Sequence, residues 1–208
     1  MIEYLRDPGE IYARSFAAIR AEARFDHLPP DAEPVAVRVI HACGMPDVVN
    51  NLAISGDFVA VARKALTNGA HILVDAEMVK HGIMPRLVPK GSQIVCMLND
   101  PRARQLGIDN KTTRSAAAVE LWKPMLAGNI AVIGNAPTAL FRLLELIDEG
   151  APKPAAIVAF PVGFVGAAES KEELIADSRG IPFATIRGRK GGSAMASAVI
   201  NALLDTAP

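Results

Sequence analysis

Six short, nearly unbroken apolar runs recur along the chain, at residues 35–40, 72–74, 94–98, 130–133, 155–160 and 183–186, with Arg38 and Thr185 as the only interruptions. A strand wetted on one face alternates apolar with polar residues, so unbroken runs call for cover on both faces. Amphipathic stretches separate the runs, which is the order of a parallel sheet with helical crossovers. The pattern predicts a single α/β domain over residues 1–208, three-layered, with a mostly parallel sheet and helices on both faces.

Helix signals fill the intervals. Asp7-Pro8-Gly9-Glu10 reads as an N-cap acid, a proline in the first turn and a Glu closing a capping box. The apolar stripe that follows is Ile11, Phe16 and Ile19, fading near Phe25 before Pro29-Pro30. Further helices are expected over 57–66, 113–126 and 138–147, with a second capping box at Ser170 to Glu173 and a last helix after Ser193.

Open parallel sheets bind ligands beyond the carboxyl ends of their strands. That rule directs attention to residues 41–47, 75–78, 99–100, 134–138, 161–166 and 188–193. Composition narrows the ligand. Lys and Arg total 22 and Asp and Glu total 22, so a general affinity for nucleic acid or an anionic membrane is not expected. No apolar run approaches the roughly 20 residues that span a bilayer. Two cysteines make no disulfide framework, and with no signal peptide visible a cytoplasmic protein is expected. Yet the charge is unevenly spread: residues 178–204 hold Arg179, Arg187, Arg189 and Lys190 and no acid.

Of the four histidines, His41 stands out because it ends the first apolar run at the expected ligand edge. Imidazole exchanges protons near neutrality without a large pKa shift, so His41 is either a proton-transfer group or a satisfied structural histidine. His27, His71 and His81 read as structural or exposed. Cys43 would share a strand face with His41, but a buried, inert thiol is the commoner role. No Cys-x-x-Cys or His-Glu-x-x-His spacing is present, and no metal is expected. The turn Gly188-Arg189-Lys190-Gly191-Gly192-Ser193 matches no nucleotide fingerprint, although its small residues could let backbone N–H groups approach an anion. Arg14-Ser15 and Thr113-Arg114-Ser115 offer guanidinium forks suited to carboxylates, though a lone arginine is more often a surface residue. The carboxylate of Asp75 could accept hydrogen bonds or cap the next helix.

Taken together, several segments are those of one family. Arg38-Val39-Ile40-His41-Ala42-Cys43-Gly44, Gly134-Asn135-Ala136-Pro137-Thr138-Ala139-Leu140, Pro161-Val162-Gly163-Phe164-Val165-Gly166 and Arg187-Gly188-Arg189-Lys190-Gly191-Gly192-Ser193 occur in order, and with the segments around Arg14, Asp75 and Arg114 they resemble precorrin-8X methylmutase over nearly the whole chain. The resemblance implies isomerisation of precorrin-8X to hydrogenobyrinic acid by migration of a methyl group from C-11 to C-12 of the ring. No cofactor is implied. It further implies His41 as the catalytic residue, and a homodimer with the active site at the interface. The substrate's acetate and propionate arms point to Arg14, Ser15, Arg114, Lys190, Gly192 and Ser193 as binding residues. A cobalt-precorrin-8 methylmutase, or a corrinoid carrier, is the alternative.

Overall fold

The computed structural model describes residues 2–205. Its centre is a six-stranded sheet built from β1 (Leu52–Ile54), β2 (Ile72–Val74), β3 (Ile94–Cys96), β4 (Ile130–Ile133), β5 (Ala156–Ala159) and β6 (Phe183–Ile186), in spatial order β1-β6-β5-β4-β2-β3. Every neighbouring pair is parallel except β1–β6. The register aligns Ile72 with Ile130 and Val132 with Val158, so side chains of one parity project together.

Both faces are dry, as the unbroken runs require. Ile72, Val74, Ile130, Val132, Ala156 and Val158 pack with helices α2 (Glu33–Cys43), α3 (Phe58–Thr67), α4 (Glu77–Gly82) and α9 (Ser193–Leu204). Across the sheet, Leu73, Ala131, Ile133, Ile157 and Ala159 pack with residues of α6 (Arg114–Glu120), α7 (Pro137–Asp148) and α8 (Ala167–Ala176). Beside α6 lies α5 (Pro101–Asp109), and α1 (Pro8–Glu22) lies outside α2. Each fully buried Ile, Leu or Val contributes about 1.5–3 kcal/mol of transfer free energy. The three-layer, mostly parallel α/β architecture is therefore the one the apolar runs predict.

One of those runs is not a strand. Residues 35–40 form the body of α2, which begins beside Pro34 and stops at Gly44. There φ is +67°, a conformation that suits glycine, and the Gly44 N–H closes on the Ile40 carbonyl at 2.7 Å. Val35, Ala36, Val37, Val39 and Ile40 are all buried because α2 packs between α1 and α9. The accessible stripe of α2, Pro34, Arg38, His41 and Ala42, holds only two polar residues, too few to betray the helical period. The sixth strand is instead β1, three residues long and antiparallel at the edge.

Smaller differences have local causes. The helix expected over 113–126 ends at Glu120, and Pro124 holds the next turn in a short 3-10 segment. β3 closes at Cys96 rather than Leu98. Asp7 does accept the Glu10 N–H at 2.7 Å, but the Glu10 carboxylate turns to Arg14 instead of completing a capping box. Nor is Ser170 a cap: α8 starts three residues earlier at Ala167, and the buried Ser170 hydroxyl donates to the Ala167 carbonyl at 3.3 Å.

Candidate active site

Because residues 35–40 are helical, His41 is not at a strand end. It stands in the last turn of α2, exposed, and is held by one face of α1. Tyr12, Ser15 and Phe16 are spaced i, i+3 and i+4 on that helix, so their side chains emerge together. Ser15 Oγ lies 3.0 Å from His41 Nδ1, and the Tyr12 and Phe16 rings flank the imidazole with centroids at 5.2 and 5.3 Å. These contacts fix the ring and leave Nε2 as the nitrogen without a hydrogen bond among the described residues. Cys43 does not share this face. Two residues on a helix are about 200° apart, and Cys43 packs on the core with its thiol raised by burial.

Two adjoining clefts open beside His41. The nearer, about 420 Å³, is lined by Tyr12, Arg38, His41, Met78, Ser193 and Asn201, among others. The larger, about 1130 Å³, has Tyr12, Phe16, Arg20, Arg38, Arg63 and Arg86 in its walls. Tyr12, Arg38 and Met84 belong to both, so the two form one trough. Arg38 is a member of the trough wall that the sequence pattern does not single out. Read as a strand residue it faces away from His41; one helical turn before His41 it faces the same way.

The carboxyl edge of the sheet is occupied by the protein itself. β2 leads to β3 on one side while β4 lies on the other, which makes the β2–β4 gap the switch point of the sheet. Here the buried Asp75 carboxylate accepts the backbone N–H groups of Gly134, Asn135 and Ala136 at 2.8, 3.0 and 2.8 Å. Burial raises its carboxyl above the ordinary value, while the three amides pull it down. Asp75 thus accepts hydrogen bonds at the place where such sheets often hold an anionic ligand.

The 188–193 turn runs from β6 into α9 and reaches the trough. Gly191 passes so close to the chain that a Cβ there would sit 2.5 Å from the Phe160 carbonyl oxygen, and the Gly192 N–H donates to the same oxygen at 2.7 Å. Ser193 lines the nearer cleft with His41, and its hydroxyl is buried without a hydrogen-bond partner. Lys190 pairs with Asp47 at 2.8 Å, which ties the turn to the segment after α2 and holds the Asp47 carboxyl below its usual range. Beneath the turn, the buried Lys171 ammonium donates to the Lys190 carbonyl at 2.6 Å.

Burial lowers Lys171 to about 8, with the charge of Glu172 acting the other way. The unfolded chain keeps that proton up to the ordinary value of 10.5. Between these values unfolding takes up a proton, so stability rises with pH across that window. Lys171→Met is expected to flatten the rise. Denaturant midpoints of both proteins from about pH 8 to about pH 10.5 check it, and parallel profiles would contradict the assignment.

The basic run at residues 178–204 is largely neutralised by acids from elsewhere in the fold. Arg179 pairs with Asp148 and Glu173, Arg187 with Glu172, and Lys190 with Asp47. Arg189 lies over the exposed Phe164 ring, 5.1 Å from its centroid. Two of the expected binding residues stand apart from the trough within one chain. Arg14 is 71% exposed and paired with Glu10, and Arg114 begins α6 in the opposite helical layer. Ser15, His41 and Ser193 converge; Gly192 and Lys190 lie on the adjoining turn. The remaining histidines bond to backbone: His27 with the Val49 carbonyl, His71 with the Gln93 amide and His81 with the Glu77 carbonyl. Among the described residues no group of three or more His, Cys, Asp or Glu could hold a metal ion, and no helix is long and apolar enough to cross a membrane.

Comparison with known proteins shows the family. The profile of the family "Precorrin-8X methylmutase" matches residues 10–206. The chain is 56% identical over 203 residues to precorrin-8X methylmutase of Pseudomonas aeruginosa, covering 98% of each, and 53% identical over 201 residues to that of Sinorhizobium sp., covering 97% of this chain and 96% of the relative. A cobalt-precorrin-8 methylmutase of Salmonella typhimurium is 39% identical over 210 residues, covering 98% and 97%. The crystal structure of precorrin-8X methylmutase from Thermus thermophilus superposes with a TM-score of 0.86 at 34% identity, covering 96% of this chain and all of that one. With the family profile spanning residues 10–206 and two relatives more than half identical over nearly the full length of both chains, the chain belongs to the precorrin-8X methylmutase family.

Proposed function

We propose that this chain is an isomerase of cobalamin biosynthesis that converts precorrin-8X to hydrogenobyrinic acid by moving a methyl group from C-11 to C-12. The observation that carries the reading is the 56% and 53% identity to two precorrin-8X methylmutases over almost the full length of both chains. The trough supports it: an apolar wall of Tyr12, Phe16 and Met84 suits a broad conjugated ring, and guanidinium groups around it suit carboxylate arms.

His41 is the proton-competent group. With the ring protonated, Nδ1–H donates to the Ser15 hydroxyl oxygen, and Nε2–H lends its proton, or a strong hydrogen bond, to the macrocycle near ring C. Polarising the conjugated system there lowers the barrier for the methyl group to leave one carbon with its bonding pair and attach to the next. Substrate and product are isomers, so the proton returns and His41 ends as it began. The unpartnered Ser193 hydroxyl and Lys190 provide polar contacts along one rim, and Gly192 shapes the turn that carries them. Arg14 and Arg114 contact substrate only if a second copy brings them to it, which favours a homodimer with a shared site in the cytoplasm. A monomer with full turnover would leave Arg114 without a role.

The test is incubation with purified precorrin-8X while the visible spectrum is followed. Conversion to hydrogenobyrinic acid is expected, and an unchanged spectrum contradicts the reading. Running metal-free and cobalt-loaded substrates side by side separates the two branches. Faster turnover of the metal-free ring is expected, in line with the lower identity, 39%, to the cobalt-precorrin-8 relative.

A further inference from the structure

Four arginines line the larger cleft, and only two are matched by acids. Arg20 pairs with Glu33 at 2.7 Å, and Arg38 pairs with Asp205 while lying near the Tyr12 and Phe16 rings. Arg63 Nη2 donates to the Ala202 carbonyl at 3.3 Å, and its Nε is buried with no hydrogen-bond partner. Arg86, which is exposed, makes among the described residues a 3.6 Å contact to Met84 Sδ. Neither forms an ion pair among the described residues. A guanidinium N–H taken out of water without a partner carries a desolvation cost, which a bound anion would remove.

The rest of the cleft limits what that anion is attached to. Tyr12, Phe16, Val37 and Met84 make an apolar wall, and the cleft runs into the one that holds His41 through Tyr12, Arg38 and Met84. A ligand spanning both needs an apolar body and an acidic arm remote from the atom at which His41 acts. Guanidinium groups present a planar fork that fits carboxylate in two parallel hydrogen bonds, which a lone ammonium cannot do.

We propose that Arg63 and Arg86 form a carboxylate subsite that takes a peripheral acid arm of the tetrapyrrole and sets how the ring lies against His41. The proposal rests on the reading of the chain as a precorrin-8X methylmutase and adds two binding residues to it. They act on affinity and orientation, not on the proton.

Arg63→Gln, Arg86→Gln and the double variant test it, with folding checked by circular dichroism. Hydrogenobyrinic acid is titrated by its own visible absorbance, and precorrin-8X turnover is measured alongside. Each single change is expected to raise Kd and KM about tenfold, as for loss of a hydrogen bond to a charged group, with the loss falling on KM. Arg63→Lys and Arg86→Lys are expected to recover part of it. Added salt should weaken binding to wild type more steeply than to the double variant. A folded double variant with wild-type Kd and salt dependence overturns the proposal. So does a change in oligomeric state at constant Kd, which would assign these arginines to contact between copies. Wild type that binds the tetrapyrrole without isomerising it sinks the catalytic reading and leaves the Kd comparison decisive for the subsite. Failure of wild type to bind it overturns both.

Discussion

His41→Ala is expected to slow precorrin-8X turnover about 10²–10⁴-fold while hydrogenobyrinic acid still binds within a few-fold of wild type. The split follows from where the side chain sits. His41 is one exposed residue at the end of a helix whose buried face is Val35, Ala36, Val37, Val39 and Ile40, so truncating it removes a proton donor and leaves α2 intact. The apolar wall and the arginines proposed to hold the substrate remain. Ser15→Ala offers a graded control. It removes the 3.0 Å contact to Nδ1 and frees the ring to rotate, so a smaller loss confined to kcat is expected. Equal losses in kcat and in affinity for His41→Ala would point to a binding role, and near-wild-type turnover would remove His41 from the mechanism.

Asp75→Ala is the change expected to cost most stability, about 3–5 kcal/mol. Three backbone N–H groups, those of Gly134, Asn135 and Ala136, lose their acceptor in a site with almost no access to water. Each unmatched buried donor costs about 1–3 kcal/mol, less whatever water recovers. For a domain of this size a loss of that order lowers Tm by roughly 10 °C. Asp75→Asn should lose less, because one amide oxygen can still accept while the new NH₂ group faces donors. Thermal unfolding of the three proteins followed by circular dichroism decides it. Equal Tm values would mean that the turn after β4 holds its shape without the carboxylate.

What the sequence disclosed, and what it hid, follows from burial. β2, β4, β5 and β6 were legible because a run of three to six apolar residues bounded by turn signals is a strand in most settings. The same pattern misplaces residues 35–40, where valine and isoleucine favour strands and Arg38 is the one polar residue in the run. Pro34 near the start and Gly44 at the end were the helix signals present, and they bracket α2. β1 escaped notice because three residues at a sheet edge leave almost no pattern.

The site shows the same division. His41 was singled out for a position it does not hold, and the family's motif led to the same residue independently. Ser15 lies against it, but Arg38 and Tyr12 were overlooked because their place in the trough depends on α2 being helical. Arg14 and Arg114 have no neighbour in the trough that sequence spacing could have revealed.

The helix that carries one wall of the trough is weakly anchored to the rest of the fold. Of the fifteen residues in α1, Ile19 alone is buried, whereas α9 is buried from Met195 through Leu203. Tyr12, Ser15 and Phe16 therefore ride on an element whose local opening needs far less free energy than unfolding of the sheet. A ligand that packs on these side chains spends part of its intrinsic attraction on ordering the helix instead of showing it as affinity.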